Sequence, residues 1–173
     1  MTLSFGTGQV ANALGMQGQA LGNLCRELMP GKPPNRHHRF THAEVLWLAC
    51  YRHARAAGLE AFPAKTFLGS PRMHAMLEAL LAYAAPDPAE AVKRLRNVPI
   101  MYGARFNFAE ARDEAQLVGE PLLFEAQRLP DKLTEPCIAA GGAGFAQLTV
   151  FLMPLEPPLR TLQRVIEESR DAS

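Results

Sequence analysis

Apolar positions recur at helical spacing through most of the first 95 or so residues, then shift towards strand spacing before a final helical stretch. Val10, Ala11 and Leu14 form one face behind Thr7, which the pattern predicts as an N-cap, and Gly15 is placed to end that helix. A second helix is predicted from about Gln17 to Leu28. It turns Leu21, Leu24, Cys25 and Leu28 inward and leaves Gln17, Gln19, Gly22, Asn23 and Arg26 on its outer face. Pro30, Gly31, Pro33, Pro34 and Asn35 cannot continue a helix, and residues 29–40 read as a hairpin. Thr41 followed by Glu44 is a capping box. It opens a third helix through Val45, Leu46, Leu48, Ala49, Arg52 and Ala56, stopped at Gly58, with Phe62, Phe67 and Leu68 expected to close the first core.

Ser70-Pro71 starts another helix, with Met73, Met76, Leu77, Leu80 and Leu81 as its stripe, and Asp87-Pro88 starts a short one running to about Asn97. From Ile100 the pattern favours strands: Phe106 and Phe108 alternate with polar neighbours, and Gln147–Met153 is rich in β-formers. Phe124–Leu129 fits a strand or a helical turn equally well, while Gly119-Glu120-Pro121 and the glycines at 141–144 read as turns. A last helix is predicted from Pro158, with Leu159, Leu162, Val165 and Ile166 on one side. The fold class expected is α+β, in three parts. Residues 1–69 form an N-terminal winged helix-turn-helix domain, 70–98 a helical connector, and 99–173 a smaller β-containing domain with a terminal helix.

With 48% hydrophobic and 20% charged residues, the chain has the composition of a packed globular protein. Its net charge of +1 conceals an asymmetry: residues 1–65 carry seven Lys/Arg against three Asp/Glu, and the remainder eleven against fourteen. Four of the five histidines also precede residue 65, so the N-terminal part is the one suited to a polyanion. Three scattered cysteines, Cys25, Cys50 and Cys137, offer no disulfide framework and no paired metal-ligand spacing. No leader or membrane-spanning segment is read, and the setting expected is the cytoplasm.

Three segments together resemble the DNA-binding domain of MerR-family transcription regulators and the related excisionase-type winged helices. They are T-G-Q-V-A-x-x-L-G-M (Thr7 to Met16), Leu21 in the second helix, and R-F-T-x-x-E-V (Arg39 to Val45). The resemblance implies a second helix, about 17–28, lying in the major groove. It also implies a basic wing, 29–40, on the phosphates, in a homodimer on a near-palindromic site. Arg39 matches the family's wing arginine. Where the family commonly has an arginine and aromatic residues after the leucine, this chain has Gly22, Asn23 and Leu24. The family's long dimerisation helix is not apparent either.

On the second helix, Gln17, Gln19 and Asn23 have the amide chemistry that pairs with adenine, and Arg26 suits guanine or phosphate. Lys32, Arg36, His37, His38 and Arg39 form a basic wing, where counterion release would contribute affinity. His42 and His53 lie on one helix but lack further ligands for zinc, and no catalytic constellation stands out, so no metal, cofactor or enzymatic activity is expected. The function expected is sequence-specific double-stranded DNA binding by a transcription regulator, with RNA polymerase or another regulator as a further partner. An excisionase-like or phage/plasmid architectural factor is one alternative. A protein-interaction module on a winged-helix scaffold is the alternative from another class.

Overall fold

A computed structural model describes residues 4–29, 38–108, 115–117, 121–129, 131 and 148–171. A short strand, β1 (Phe5–Gly6), pairs antiparallel with β2 (Arg39–Phe40), setting Phe5 opposite Phe40 and Gly6 opposite Arg39. Both phenylalanines are fully buried, so the pair pins together two points that flank a helical hairpin. That hairpin is α1 (Thr7–Ala13) and α2 (Gly18–Leu28). The cap of α1 falls one residue earlier than predicted, because pairing with β2 holds Gly6 extended and helical geometry begins at Thr7. Gln9 serves the end instead, its Oε1 accepting the Gly6 N–H at 2.9 Å. Gly15, at φ +62°, makes the left-handed turn that a side chain would strain.

The helix α3 (His42–Ala56) is buried on most of its circumference and is the element around which the others pack. Its predicted capping box is present in both halves: Thr41 Oγ1 accepts the Glu44 N–H at 3.2 Å, and Glu44 Oε2 accepts the Thr41 N–H at 2.8 Å. Thr41→Ala is therefore expected to cost about 1 kcal/mol in chemical denaturation. A change below a few tenths would show that packing alone holds this end.

After Gly58 the chain forms a helix that periodicity did not reveal, α4 (Ala61–Leu68). Phe67 and Leu68 join the core as expected, but Phe62 is 52% exposed and does not. The reason is geometric: Pro63, Ala64, Phe67 and Leu68 form the buried stripe, and Phe62 lies outside it. The Trp47 indole N–H donates to the Leu68 carbonyl, fixing α4 on α3.

Next come α5 (Pro71–Ala84), capped by Ser70, and α6 (Pro88–Leu95), capped by Asp87. Met73, Leu77 and Leu81 are buried, whereas Met76 and Leu80 of the predicted stripe are only half-buried.

The larger sheet is built on one central strand, β3 (Ile100–Phe108). Partners of β3 are β4 (Ala115–Leu117), β5 (Leu122–Glu125) and β6 (Leu148–Pro154), all antiparallel. A 3₁₀ turn, Ala126–Arg128, follows β5, so the ambiguous stretch is a strand end and then a turn. Ile100, Tyr102, Ala104 and Phe106 alternate along β3 and are all buried.

The last helix, α7 (Glu156–Asp171), starts two residues before the predicted Pro158. Proline is tolerated in a first turn, whose N–H groups have no intrahelical partner, so Pro157 and Pro158 do not delay it. Leu159, Leu162, Val165 and Ile166 are buried as predicted, and α7 packs on α1, α3 and α6. Gln9 Nε2 donates to Ser169 Oγ at 3.2 Å across that contact.

The described residues thus form an α+β fold with seven α-helices and two small sheets. Buried residues from 1–69, 70–98 and 99–173 belong to one contiguous core. Among the described residues no helix is long and apolar enough to cross a membrane. The hairpin tip at Pro30–Asn35, Cys137, the turn residues Gly119 and Glu120, and the glycines at 141–144 lie outside the described residues.

Candidate nucleic-acid interface

The buried stripe of α2, Leu21, Leu24, Cys25 and Leu28, fixes the rotation of the helix and therefore which residues face outward. Gln19, Asn23 and Arg26 follow at spacings of four and three on the outer side, and all three are exposed. Gln17, the N-cap, is exposed too. Its side chain makes no capping bond, and no acidic residue occupies the first turn. Among the described residues no side chain caps the backbone donors at the start of α2, and with the positive end of the helix dipole they suit a phosphate.

Interleaved with these polar residues are Gly18 and Gly22. A Cβ built on either would meet no atom within 4 Å, so nothing inside the described chain requires glycine at these sites. Gly22 carries a helix-propensity cost of about 1 kcal/mol relative to alanine, and Gly18, the first helical residue, a smaller one. Gly18 is exposed and Gly22 half-buried, and their shared effect is a low surface on the flank between the buried stripe and Gln19, Asn23 and Arg26.

Arg26 folds back along α2. One guanidinium nitrogen donates to Asn23 Oδ1 at 2.6 Å, and Nε reaches the Gly22 carbonyl at 3.4 Å. Asn23 keeps its amide N–H₂ and one Oδ1 lone pair, enough for an adenine edge. The acidic neighbour Glu27 is held by Lys65 of α4 at 2.7 Å, which offsets its negative charge beside this face.

Of the predicted wing residues, Lys32, Arg36 and His37 lie outside the described residues. Arg39 is exposed on β2, and its guanidinium lies over Gly6, 3.5 Å from where a Cβ on that glycine would stand. That places a cation beside the start of α1. His38 is half-buried instead, its ring edge-on to Phe40 with centroids 4.4 Å apart and its Nε2 buried without a hydrogen-bond partner. The ring would have to turn to reach a phosphate.

Cys25 and Cys50 are both buried thiols, as the apolar stripes predict. Burial, with a smaller contribution from Glu44, pushes Cys25 up to about 11, and burial pushes Cys50 well above the ordinary thiol range. His42 and His53 stand at opposite ends of α3, roughly 16 Å apart along the axis. Among the described residues no group of three potential metal ligands occurs.

Sequence reasoning missed the surroundings of His53. Its Nδ1 lies 3.2 Å from the Tyr102 hydroxyl, which also bonds the Cys50 carbonyl at 2.9 Å. Partners 49 and 52 residues apart leave no signal in local periodicity.

Burial lowers the affinity of His42 and His53 for a proton, and nearby Asp87 only partly opposes this at His42. Below the ordinary histidine value of 6.5 the unfolded chain therefore binds protons that the folded chain does not. Stability contributed by the neutral rings is full above that value and declines as pH falls below it. The melting temperature is expected to be flat from pH 8 to 7 and to drop between pH 6.5 and 5. A flat profile in a His42→Gln/His53→Gln variant would assign the drop, and an unchanged one would refute the assignment.

No protein-family model, curated protein or solved structure matches the chain.

Proposed function

We propose that this chain is a sequence-specific double-stranded DNA-binding transcription regulator with a winged helix-turn-helix in residues 1–69. Its α2 enters the major groove, and the basic wing, 29–40, meets phosphates. The observation that carries this reading is the exposed side of α2, where Gln19, Asn23 and Arg26 alternate in sequence with two glycines that packing among the described residues does not require. The setting supports it: a helical hairpin with short strands before and after it, then a helix capped by Thr41 and Glu44. Resemblance of the same segments to MerR and excisionase domains points the same way. A homodimer is part of this reading, and residues 99–173 are assigned to assembly or sensing.

Binding to random-sequence duplex, measured by fluorescence anisotropy over a series of salt concentrations, tests it. If four phosphates are neutralised, log affinity should fall against log salt with a slope of about −3.6. Arg36→Ala/Arg39→Ala should lower both the affinity and the slope. Absence of binding at low salt, or a double variant indistinguishable from the wild type, would favour the protein-interaction reading. The bond between Arg26 and Asn23 is the observation on that side, since it turns two side chains assigned to DNA towards each other.

A further inference from the structure

A cleft of about 240 Å³ opens where α1, α3 and α7 meet. Leu14 borders it at the end of α1, Arg52 and His53 on α3, and Pro157, Pro158 and Thr161 in the first two turns of α7. Among the described residues no carboxylate lines it. The polar groups present are thus a guanidinium, an imidazole and a hydroxyl against an apolar wall.

The imidazole is oriented from behind. The Tyr102 hydroxyl lies 2.9 Å from the Cys50 carbonyl, with the Met153 sulfur as a second acceptor at 3.6 Å. His53 Nδ1 lies 3.2 Å from the same hydroxyl oxygen. Tyr102 is fully buried, so this contact turns Nδ1 towards the core and leaves Nε2 as the outward nitrogen. The Thr161 hydroxyl donates to the Pro157 carbonyl at 3.3 Å, a long bond that a charged acceptor can replace.

A guanidinium fork matches the two oxygens of a carboxylate. The fork matches phosphate as well, but the first turn of α7 offers no backbone N–H at Pro157 or Pro158 for the further oxygens that a phosphate carries. The volume admits only a small molecule. We propose that this cleft binds a small organic carboxylate, its oxygens held by Arg52 and Thr161 beside His53 and its apolar remainder against Leu14 and Pro158. Such binding does not depend on whether α2 meets DNA.

The test uses the full chain at fixed pH and ionic strength, following the His53 ring signals by NMR. Acetate, propionate, butyrate and benzoate are titrated in turn, then their amides and inorganic phosphate. Saturable shifts are expected with at least one carboxylate and not with its amide. Arg52→Gln should weaken that binding about tenfold or more, the value of a charge-assisted pair. Ala56→Leu, which fills the cleft from the last turn of α3, should abolish it. The proposal is overturned if no carboxylate gives a saturable shift, if the amides or phosphate bind as well, or if both variants keep wild-type affinity with unchanged circular dichroism.

Discussion

Alanine at both Gly18 and Gly22 is expected to stabilise the chain and weaken its hold on duplex DNA, two effects of opposite sign from one pair of methyl groups. On the folding side, each glycine in a helix gives up about 1 kcal/mol relative to alanine. The new Cβ atoms meet nothing within 4 Å, so no clash offsets the gain. Part of that gain is lost at Gly18 because it lies in the first turn of α2. A net rise of 1–2 kcal/mol corresponds to a melting temperature higher by about 2–8 °C for a chain of this size. On the binding side, two methyl groups on the flank of the exposed face hold a close-packed surface away from the helix axis. A loss of about tenfold or more in affinity, equivalent to about 1.4 kcal/mol, is the expected reading in anisotropy titrations. A stabilised variant with undiminished affinity would show that these glycines serve no close approach, and with that the principal support for DNA recognition by α2 would go.

Gly103→Ala should do the reverse and damage the fold. A Cβ at this position of β3 would stand 2.0 Å from the Phe151 carbonyl oxygen and 3.0 Å from the Leu152 Cα of β6. Those are backbone atoms in paired strands, with Gly103 directly opposite Leu152, so no rotamer change relieves the contact. The sheet must separate locally, breaking ladder bonds on a strand that three others share. The expected cost is about 3 kcal/mol or more, a melting temperature lower by about 6–12 °C. Urea denaturation measures it directly, and a cost under 1 kcal/mol would mean that β6 is free to shift. The contrast between Gly22 and Gly103 lies entirely in what surrounds each glycine.

That contrast also explains what was legible in the sequence. The box of Thr41 and Glu44, the caps at Ser70 and Asp87, and the buried stripes of α2 and α7 are decided within one or two turns of chain, and local pattern reaches that far. The requirement at Gly103 comes from Phe151, and the orientation of His53 from Tyr102, so neither could be seen without the fold. In α4 the obstacle was different. The exposed Phe62 and the Pro63 behind it break the apparent period, although proline in a first turn is compatible with a helix.

For the candidate interface, exposure of Gln19, Asn23 and Arg26 followed from the opposite stripe and needed no tertiary information, whereas Gln17, four residues before Leu21, is exposed as the N-cap that precedes the helix. The bond between Arg26 and Asn23 was also within local reach, at a spacing of three, but residue type alone does not say which of several partners an arginine takes. The half-buried state of His38 depends on Phe40, whose burial depends in turn on Phe5 at the other end of the helical hairpin.

The seat of α7 against α1 and α3 bears on how the chain comes to be folded in a cell. About 100 residues separate the end of α3 from the start of α7. At ribosomal speeds of roughly 5–20 residues per second, α1 and α3 wait for several seconds before the helix that covers them exists. During that interval the surfaces of α1 and α3 that α7 will cover face water. Completion of the N-terminal core is thus a late event in synthesis, governed by long-range closure and not by the speed of its own helices.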